Sequence, residues 1–105
     1  MNKISDHINL PSELRSKEIL DKFELGLYRI AFVVNFKSLD VNSYLDCFKK
    51  SKKITTRVHL DSILLEDFQF IKNSLNLTKR DTWVLILSYI NKNPKLFLNQ
   101  KENIR

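Results

Sequence analysis

The side chains best suited to recognition chemistry lie on one short segment, residues 54–60. Thr55, Arg57 and His59 alternate there with Ile54, Thr56, Val58 and Leu60. In a β-strand, side chains two positions apart lie on the same face, so Thr55, Arg57 and His59 would share one outward surface. Each can donate a hydrogen bond, and the arginine is always charged. The segment indicates a hydrogen-bonding surface with a positive charge at its centre.

A run of basic residues leads into this segment. Lys49, Lys50, Lys52, Lys53 and Arg57 occur with no acidic residue between them. The first fifty residues hold eight basic and seven acidic side chains, a net of +1, and the remainder hold ten and five, a net of +5. Such a run is often only a solvated face, or it is a site for a negatively charged partner.

Residues suited to catalysis or metal binding are scarce. Cys47 is the single cysteine, and neither His7 nor His59 has another metal-ligand type at the usual spacing. The single glycine, Gly26, excludes the glycine-rich phosphate-binding motifs. We therefore expect a protein that is not an enzyme and that has neither cofactor nor metal.

The length and composition fit one small domain. The chain has 105 residues, of which 43 % are hydrophobic, which is enough for a core. The longest apolar runs, residues 30–34 and 83–87, are too short to cross a bilayer. The first residues do not resemble a signal peptide, so we expect a cytoplasmic protein without membrane association.

The segment that follows residue 60 predicts two helices. Asp61 or Ser62 can cap the first helix, and its apolar residues recur every three or four positions: Leu64, Leu65, Phe68, Ile71 and Leu75. Asn76 suits the left-handed residue that ends a helix. Thr78 can cap a second helix, from Lys79 to about Asn91, whose apolar residues lie nearly all round. The strand at 54–60 has no obvious mate in the chain, and pairing with a second copy would supply one.

This order of elements resembles the ribbon-helix-helix family of Arc, MetJ and CopG type over residues 53–93. The matching features are the strand and its exit, the stripe of the first helix, and the turn Asn76-Leu77-Thr78 before the second helix. Two features depart from the family, namely asparagine in place of glycine at 76 and an unusually apolar second helix. The resemblance implies a mainly α fold with one short β-strand, assembled as an intertwined homodimer behind an N-terminal helical extension.

The resemblance also implies how double-stranded DNA would be bound, with a two-stranded ribbon in the major groove. The expected base contacts are Thr55, Arg57 and His59. The expected phosphate contacts are Lys50, Lys52, Lys53, Thr78, Lys79 and Arg80. The expected dimer core consists of Val58, Leu60, Phe68, Trp83, Ile86 and Ile90.

Residues 1–52 are interpreted as a helical extension that supports the dimer or binds a protein partner, and residues 94–105 as a polar tail. The extension is expected to cover Ile63 and Phe70. An offset of fifty residues aligns Leu10-Pro11-Ser12 with Leu60-Asp61-Ser62. It also places Arg15, Glu18 and Asp21 at core positions of the first helix, which argues against a repeat.

The predicted function is a sequence-specific, DNA-binding transcriptional regulator, of a plasmid or another mobile element involved in conjugative transfer. Two alternatives use the same surface: an antitoxin that represses its own operon, and an accessory protein at a transfer origin. An alternative of another class is a helical protein-interaction module without DNA binding.

Overall fold

Two antiparallel strands form a ribbon on one side of the molecule. The computed structural model describes residues 3–97. Strand β1 (Lys3–Pro11) pairs along its whole length with strand β2 (Lys53–Asp61), in a register that sets His7 opposite Arg57. The exposure of β2 alternates as the sequence predicted.

The predicted fold, with one short strand completed by a second copy in an intertwined homodimer, is wrong. The chain contains both strands, and the mate of β2 is β1. Ile8 and Leu10 of β1 point into the core and are buried, while His7 and Asn9, which alternate with them, are exposed. The backbone groups that a second protomer was expected to satisfy are therefore paired within one chain.

The chain between the strands forms short helical segments. After a 3₁₀ turn (Ser12–Leu14), helices α1 (Lys17–Asp21) and α2 (Phe23–Tyr28) are separated at Lys22. A π-helical turn (Arg29–Val33), a 3₁₀ turn (Phe36–Ser38) and helix α3 (Val41–Asp46) follow. Asp40 caps α3, because its side chain accepts a hydrogen bond from the backbone N–H of Ser43 at 3.3 Å.

The chain after β2 follows the predicted order more closely. A 3₁₀ turn (Ser62–Leu64) leads into α4 (Leu65–Ser74), and α5 (Lys79–Lys92) precedes a last 3₁₀ turn (Pro94–Phe97). Asn76 has a φ of 55°, as its predicted role requires. Thr78 accepts a hydrogen bond from the backbone N–H of Asp81 at 3.0 Å, which confirms it as a cap. Of the predicted tail, residues 98–105 lie outside the described residues.

Helix α5 lies at the centre of the core. Every residue from 82 to 90 is buried, so this stretch of the helix is enclosed on all sides. The side chains expected in a dimer core are buried, but within a single chain: Val58, Leu60, Phe68, Trp83, Ile86 and Ile90. The same cluster contains Ile8, Leu14 and Leu27 from the first fifty residues, so both parts of the chain share one core.

Gly26 allows α2 to approach α5 closely. A Cβ atom at this position would lie 2.8 Å from Cδ1 of Ile90 and 3.1 Å from Cγ2 of Ile86. Any larger side chain would force these helices apart or push isoleucine side chains out of their rotamers. The glycine therefore permits the packing of the N-terminal helices on the core.

Two predictions about the first half of the chain are wrong. One is that it covers Ile63 and Phe70, and the other is that no repeat exists at an offset of fifty residues. Ile63 and Phe70 remain 70 % and 55 % exposed, although the ring of Phe36 packs edge-on against Phe70 with centroids 5.6 Å apart. The offset of fifty residues is present in the strands and in the 3₁₀ turns that follow them. It is lost in the helices, because the break at Lys22 places Phe23 in the core while Glu18 and Asp21 remain exposed.

Because the ribbon forms within one chain, we expect the unfolding midpoint to be independent of protein concentration over roughly a hundredfold range. An obligate dimer would gain stability as its concentration rises. The measurement is urea denaturation followed by circular dichroism at both ends of this range. A midpoint that rises with concentration would show that a second copy contributes to the fold.

Within residues 3–97, no helix combines the length and the apolar character that crossing a bilayer requires.

Candidate nucleic-acid interface

The outward face of the ribbon consists of three cross-strand pairs of polar side chains. The register sets these residues directly opposite each other, and all six are exposed: Ser5 with His59, His7 with Arg57, and Asn9 with Thr55. Opposite side chains on a strand pair have Cβ atoms about 5 Å apart. The six groups therefore form one continuous surface about 14 Å long, at about 3.4 Å per residue.

Hydrogen bonds hold the two outer pairs in place. The hydroxyl of Thr55 donates to Oδ1 of Asn9 at 2.6 Å, and Oγ of Ser5 lies 3.0 Å from Nδ1 of His59. Each bond restricts a side chain that would otherwise rotate freely in solvent. The ribbon therefore presents its amide and imidazole in defined orientations.

No carboxylate lies on the outward face between residues 5 and 9 of β1 or between 53 and 59 of β2. Arg57 occupies the central pair and Lys53 the end of the face beyond Thr55. The surface combines hydrogen-bond donors and acceptors with positive charge only. Such a surface can bind a polar anion without repelling it.

The β1 edge of the ribbon lies against the start of α5. Nζ of Lys79 lies 2.6 Å from Oδ2 of Asp6, and the backbone N–H of His7 donates to Oδ1 of the same carboxylate at 2.8 Å. The hydrogen bond from Lys79, followed by that from His7, holds the pKa of Asp6 below its usual range. The ion pair fixes the first turn of α5 beside the ribbon.

We expect Lys79→Met to raise the pKa of Asp6 part of the way back to its ordinary value, since the bond from His7 remains. In the native protein the lowered pKa stabilises the fold above the ordinary carboxyl pKa. This stabilisation is lost as the pH falls through the lowered value. The measurement is an NMR titration of the Asp6 carboxyl carbon.

Lys17→Met is the matched control, because Lys17 forms an ion pair with Asp21 within α1 and not with Asp6. The titration of Asp6 should be the same in this variant as in the native protein. An unchanged Asp6 titration in Lys79→Met would show that the ion pair does not form in solution.

The first turn of α5 contains the predicted phosphate-binding residues Thr78, Lys79 and Arg80, all of which are exposed. Arg80 lies 3.4 Å from the carboxylate of Asp81, an exposed pair of the weak kind. The helix has fourteen residues, and its dipole places partial positive charge at this end. The turn is adjacent to the ribbon through the contact between Lys79 and Asp6.

The predicted lysines divide into two kinds. Lys50 and Lys52 are exposed, and among residues 3–97 neither forms an ion pair. Lys53 instead donates to the backbone carbonyl oxygens of Phe48, Lys49 and Ser51, at 2.9, 3.3 and 2.8 Å. Its ammonium group stabilises the turn before β2, so it is less available to a ligand than the other two.

The β2 edge of the ribbon borders a cleft of about 630 Å³. Arg15 lies in this cleft and donates from Nε to the hydroxyl of Thr56 at 2.7 Å. Thr56 lies fifty residues after Asp6, which is the offset between β2 and β1, so the two residues occupy equivalent positions in their strands. A basic side chain contacts each of them. Lys79 supplies it at β1, and Arg15 supplies it at β2.

Sequence reasoning missed Ser5, His7 and Asn9, which complete the face with the three residues predicted on β2. Their signal is present, because they alternate with Ile4, Ile8 and Leu10 in the period of a strand. The inward Asp6 interrupts this alternation. The structure brings together all three predicted base-contact residues on one exposed face.

Groups of three or more potential metal ligands do not occur among residues 3–97. Comparison with protein-family models, curated proteins and solved structures finds no match to the chain.

Proposed function

We propose that this protein binds double-stranded DNA in a sequence-specific manner, with its β1–β2 ribbon in the major groove, and acts as a transcriptional regulator. The observation that carries the proposal is the outward face of the ribbon, six exposed hydrogen-bonding side chains without a carboxylate. The proposal agrees with the resemblance to ribbon-helix-helix proteins, except that here one chain supplies both strands.

The dimensions of the ribbon suit the groove. The major groove of B-DNA is about 12 Å wide and admits a two-stranded β-ribbon. A face about 14 Å long spans about four base pairs at about 3.4 Å each. Arginine and asparagine on this face have bidentate partners in guanine and adenine, respectively.

The flanking cations suit the DNA backbone. Lys50 and Lys52 precede β2, and Lys79 and Arg80 begin the helix beside β1. In this arrangement they contact phosphates beside the groove, and the N-terminus of α5 adds backbone N–H groups. These contacts supply affinity, whereas the ribbon supplies sequence preference.

The test is a salt titration of binding to a fluorescent duplex, read by anisotropy. With about five neutralised phosphates, the affinity is expected to fall about 500-fold between 50 and 200 mM salt. The double variant Lys50→Ala/Lys52→Ala should make the plot of log affinity against log salt less steep, by the contribution of about two phosphate contacts. An absence of binding at 50 mM salt would refute the proposal.

Lys95→Ala is the matched control for these charge changes. Lys95 follows the end of α5 that lies farther from the ribbon, about 20 Å from the first turn at 1.5 Å per residue. Its removal changes the net charge by one but should leave the salt slope unchanged. An equal effect per charge removed in Lys95→Ala and in Lys50→Ala/Lys52→Ala would mean that binding follows net charge alone.

A protein-interaction role is the second candidate, and exposed aromatic side chains favour it. Tyr28 and Phe32 are 55 % and 61 % exposed, with their ring centroids 5.3 Å apart. Exposed apolar clusters often mark contact surfaces. Phe32→Ser should leave DNA affinity unchanged if the ribbon binds DNA, because Phe32 lies outside the ribbon.

A further inference from the structure

The ribbon has an approximate two-fold axis. Each residue of β1 corresponds to the one fifty positions later in β2, and the register sets His7 opposite its own counterpart, Arg57. The axis therefore passes between these two residues and exchanges the two ends of the ribbon. A ribbon with identical strands would match a palindromic site, because the symmetry of a DNA site mirrors that of its protein.

The side chains at the two ends of this ribbon are different. At one end, Oδ1 of Asn9 accepts the hydroxyl proton of Thr55. That bond leaves the amide hydrogens and one lone pair of Oδ1 for the donor–acceptor pattern of adenine. At the other end, Ser5 and Nδ1 of His59 bond to each other, which leaves one imidazole nitrogen for a single contact.

The central pair is unequal as well. The guanidinium of Arg57 can donate two hydrogen bonds to guanine, whereas the imidazole of His7 cannot make a bidentate contact of this kind. Both side chains are exposed and opposite each other. Arg57 therefore specifies guanine on one side of the axis only.

The flanks add a difference in charge. Beyond the Asn9–Thr55 end, the chain that precedes β2 carries the exposed Lys50 and Lys52. Beyond the Ser5–His59 end, Lys3 is paired with Glu24 at 3.4 Å and stands opposite Asp61. One end of the ribbon therefore attracts the DNA backbone more strongly than the other.

We infer that one chain recognises a non-palindromic duplex in a single orientation, an inference that rests on the proposed DNA binding. The adenine contacted by Asn9 lies on the side of the site whose backbone meets Lys50 and Lys52. Replacing that adenine with another base lowers the affinity roughly 5- to 150-fold. Replacing the equivalent base on the opposite side of the site lowers the affinity less.

The test is selection of bound duplexes from a random pool, carried out with the native chain and two symmetrised variants. Ser5→Thr/His7→Arg/Asn9→His gives β1 the outward residues of β2. Thr55→Ser/Arg57→His/His59→Asn makes the converse change. All six positions are exposed, and circular dichroism verifies that both variants fold.

The expected result is a non-palindromic consensus for the native chain and a palindromic one for each variant, with adenine in both halves for the second. A palindromic consensus for the native chain would overturn the inference and leave DNA binding intact. Variants that keep the native non-palindromic consensus would also overturn it. The absence of any enrichment would refute the proposed function and the inference together.

The orientation is tested through Cys47, the single cysteine of the chain, which is exposed. It lies two residues before Lys49, and Lys49 shares a surface depression with Pro11 and Lys53 at the Asn9–Thr55 end. A DNA-cleaving iron chelate attached to Cys47 should cut the selected duplex on the adenine side only. Equal cutting on both sides would overturn the single orientation.

Discussion

Replacement of Trp83 with alanine is expected to lower the free energy of unfolding by about 3–5 kcal/mol. Trp83 is 4 % exposed, and its ring stacks on Phe23 with centroids 3.6 Å apart and planes 14° apart. Phe68 packs against the same ring at 6.0 Å. The three rings come from α5, α2 and α4, so the cavity would open where both halves of the chain meet.

The measurement is urea denaturation followed by far-ultraviolet circular dichroism, since Trp83 is the single tryptophan and its removal abolishes tryptophan fluorescence. Such a loss is a large part of the roughly 5–15 kcal/mol that stabilises a domain. Phe32→Ala is the control, because this ring is 61 % exposed and should cost under about 0.5 kcal/mol. Similar losses for both variants would mean that the aromatic cluster does not form.

Replacement of Arg57 with alanine is expected to reduce discrimination between the preferred duplex and others by about 1–3 kcal/mol, or roughly 5- to 150-fold. Arg57 lies at the centre of the outward face, where its guanidinium can make two hydrogen bonds to guanine. Nonspecific affinity should change little, because phosphate contacts supply it. The measurement is competition between the two duplexes at constant salt.

Two matched variants show which property of Arg57 matters. Arg57→Lys keeps the charge but loses the planar, two-donor geometry, so discrimination should fall almost as far as with alanine. His7→Ala removes the opposite side chain and should leave the guanine preference intact. If Arg57→Ala weakens binding to all duplexes equally, the residue contacts phosphate and not a base.

The second half of the chain could be predicted in detail because its signals are local. The cap at Thr78 and the left-handed Asn76 follow from side-chain chemistry within a few residues. Asp61, predicted to cap the first helix, instead caps the 3₁₀ turn that precedes it. The enclosed α5 follows from its apolar composition. Each of these features is decided by neighbours in sequence.

Strand β1 could not be predicted with the same ease because its partner lies about fifty residues away. The alternation of Ile4, Ile8 and Leu10 is interrupted by Asp6, whose charge is satisfied only by Lys79 from a distant helix. In the sequence, the charged residues Glu18 and Asp21 at core positions also argue against a repeat. They remain at the surface because the break at Lys22 changes the helical phase, which no local pattern announces.

The union of both strands in one polypeptide also has a genetic consequence. In a protein assembled from two identical chains, every substitution is present twice in the assembly. The product of a defective allele also forms mixed assemblies with the normal product. Here β1 and β2 belong to the same chain. A defective copy therefore sequesters no normal copy through ribbon pairing, and we expect such alleles to be recessive. Each strand is also free to acquire its own outward residues by single mutations.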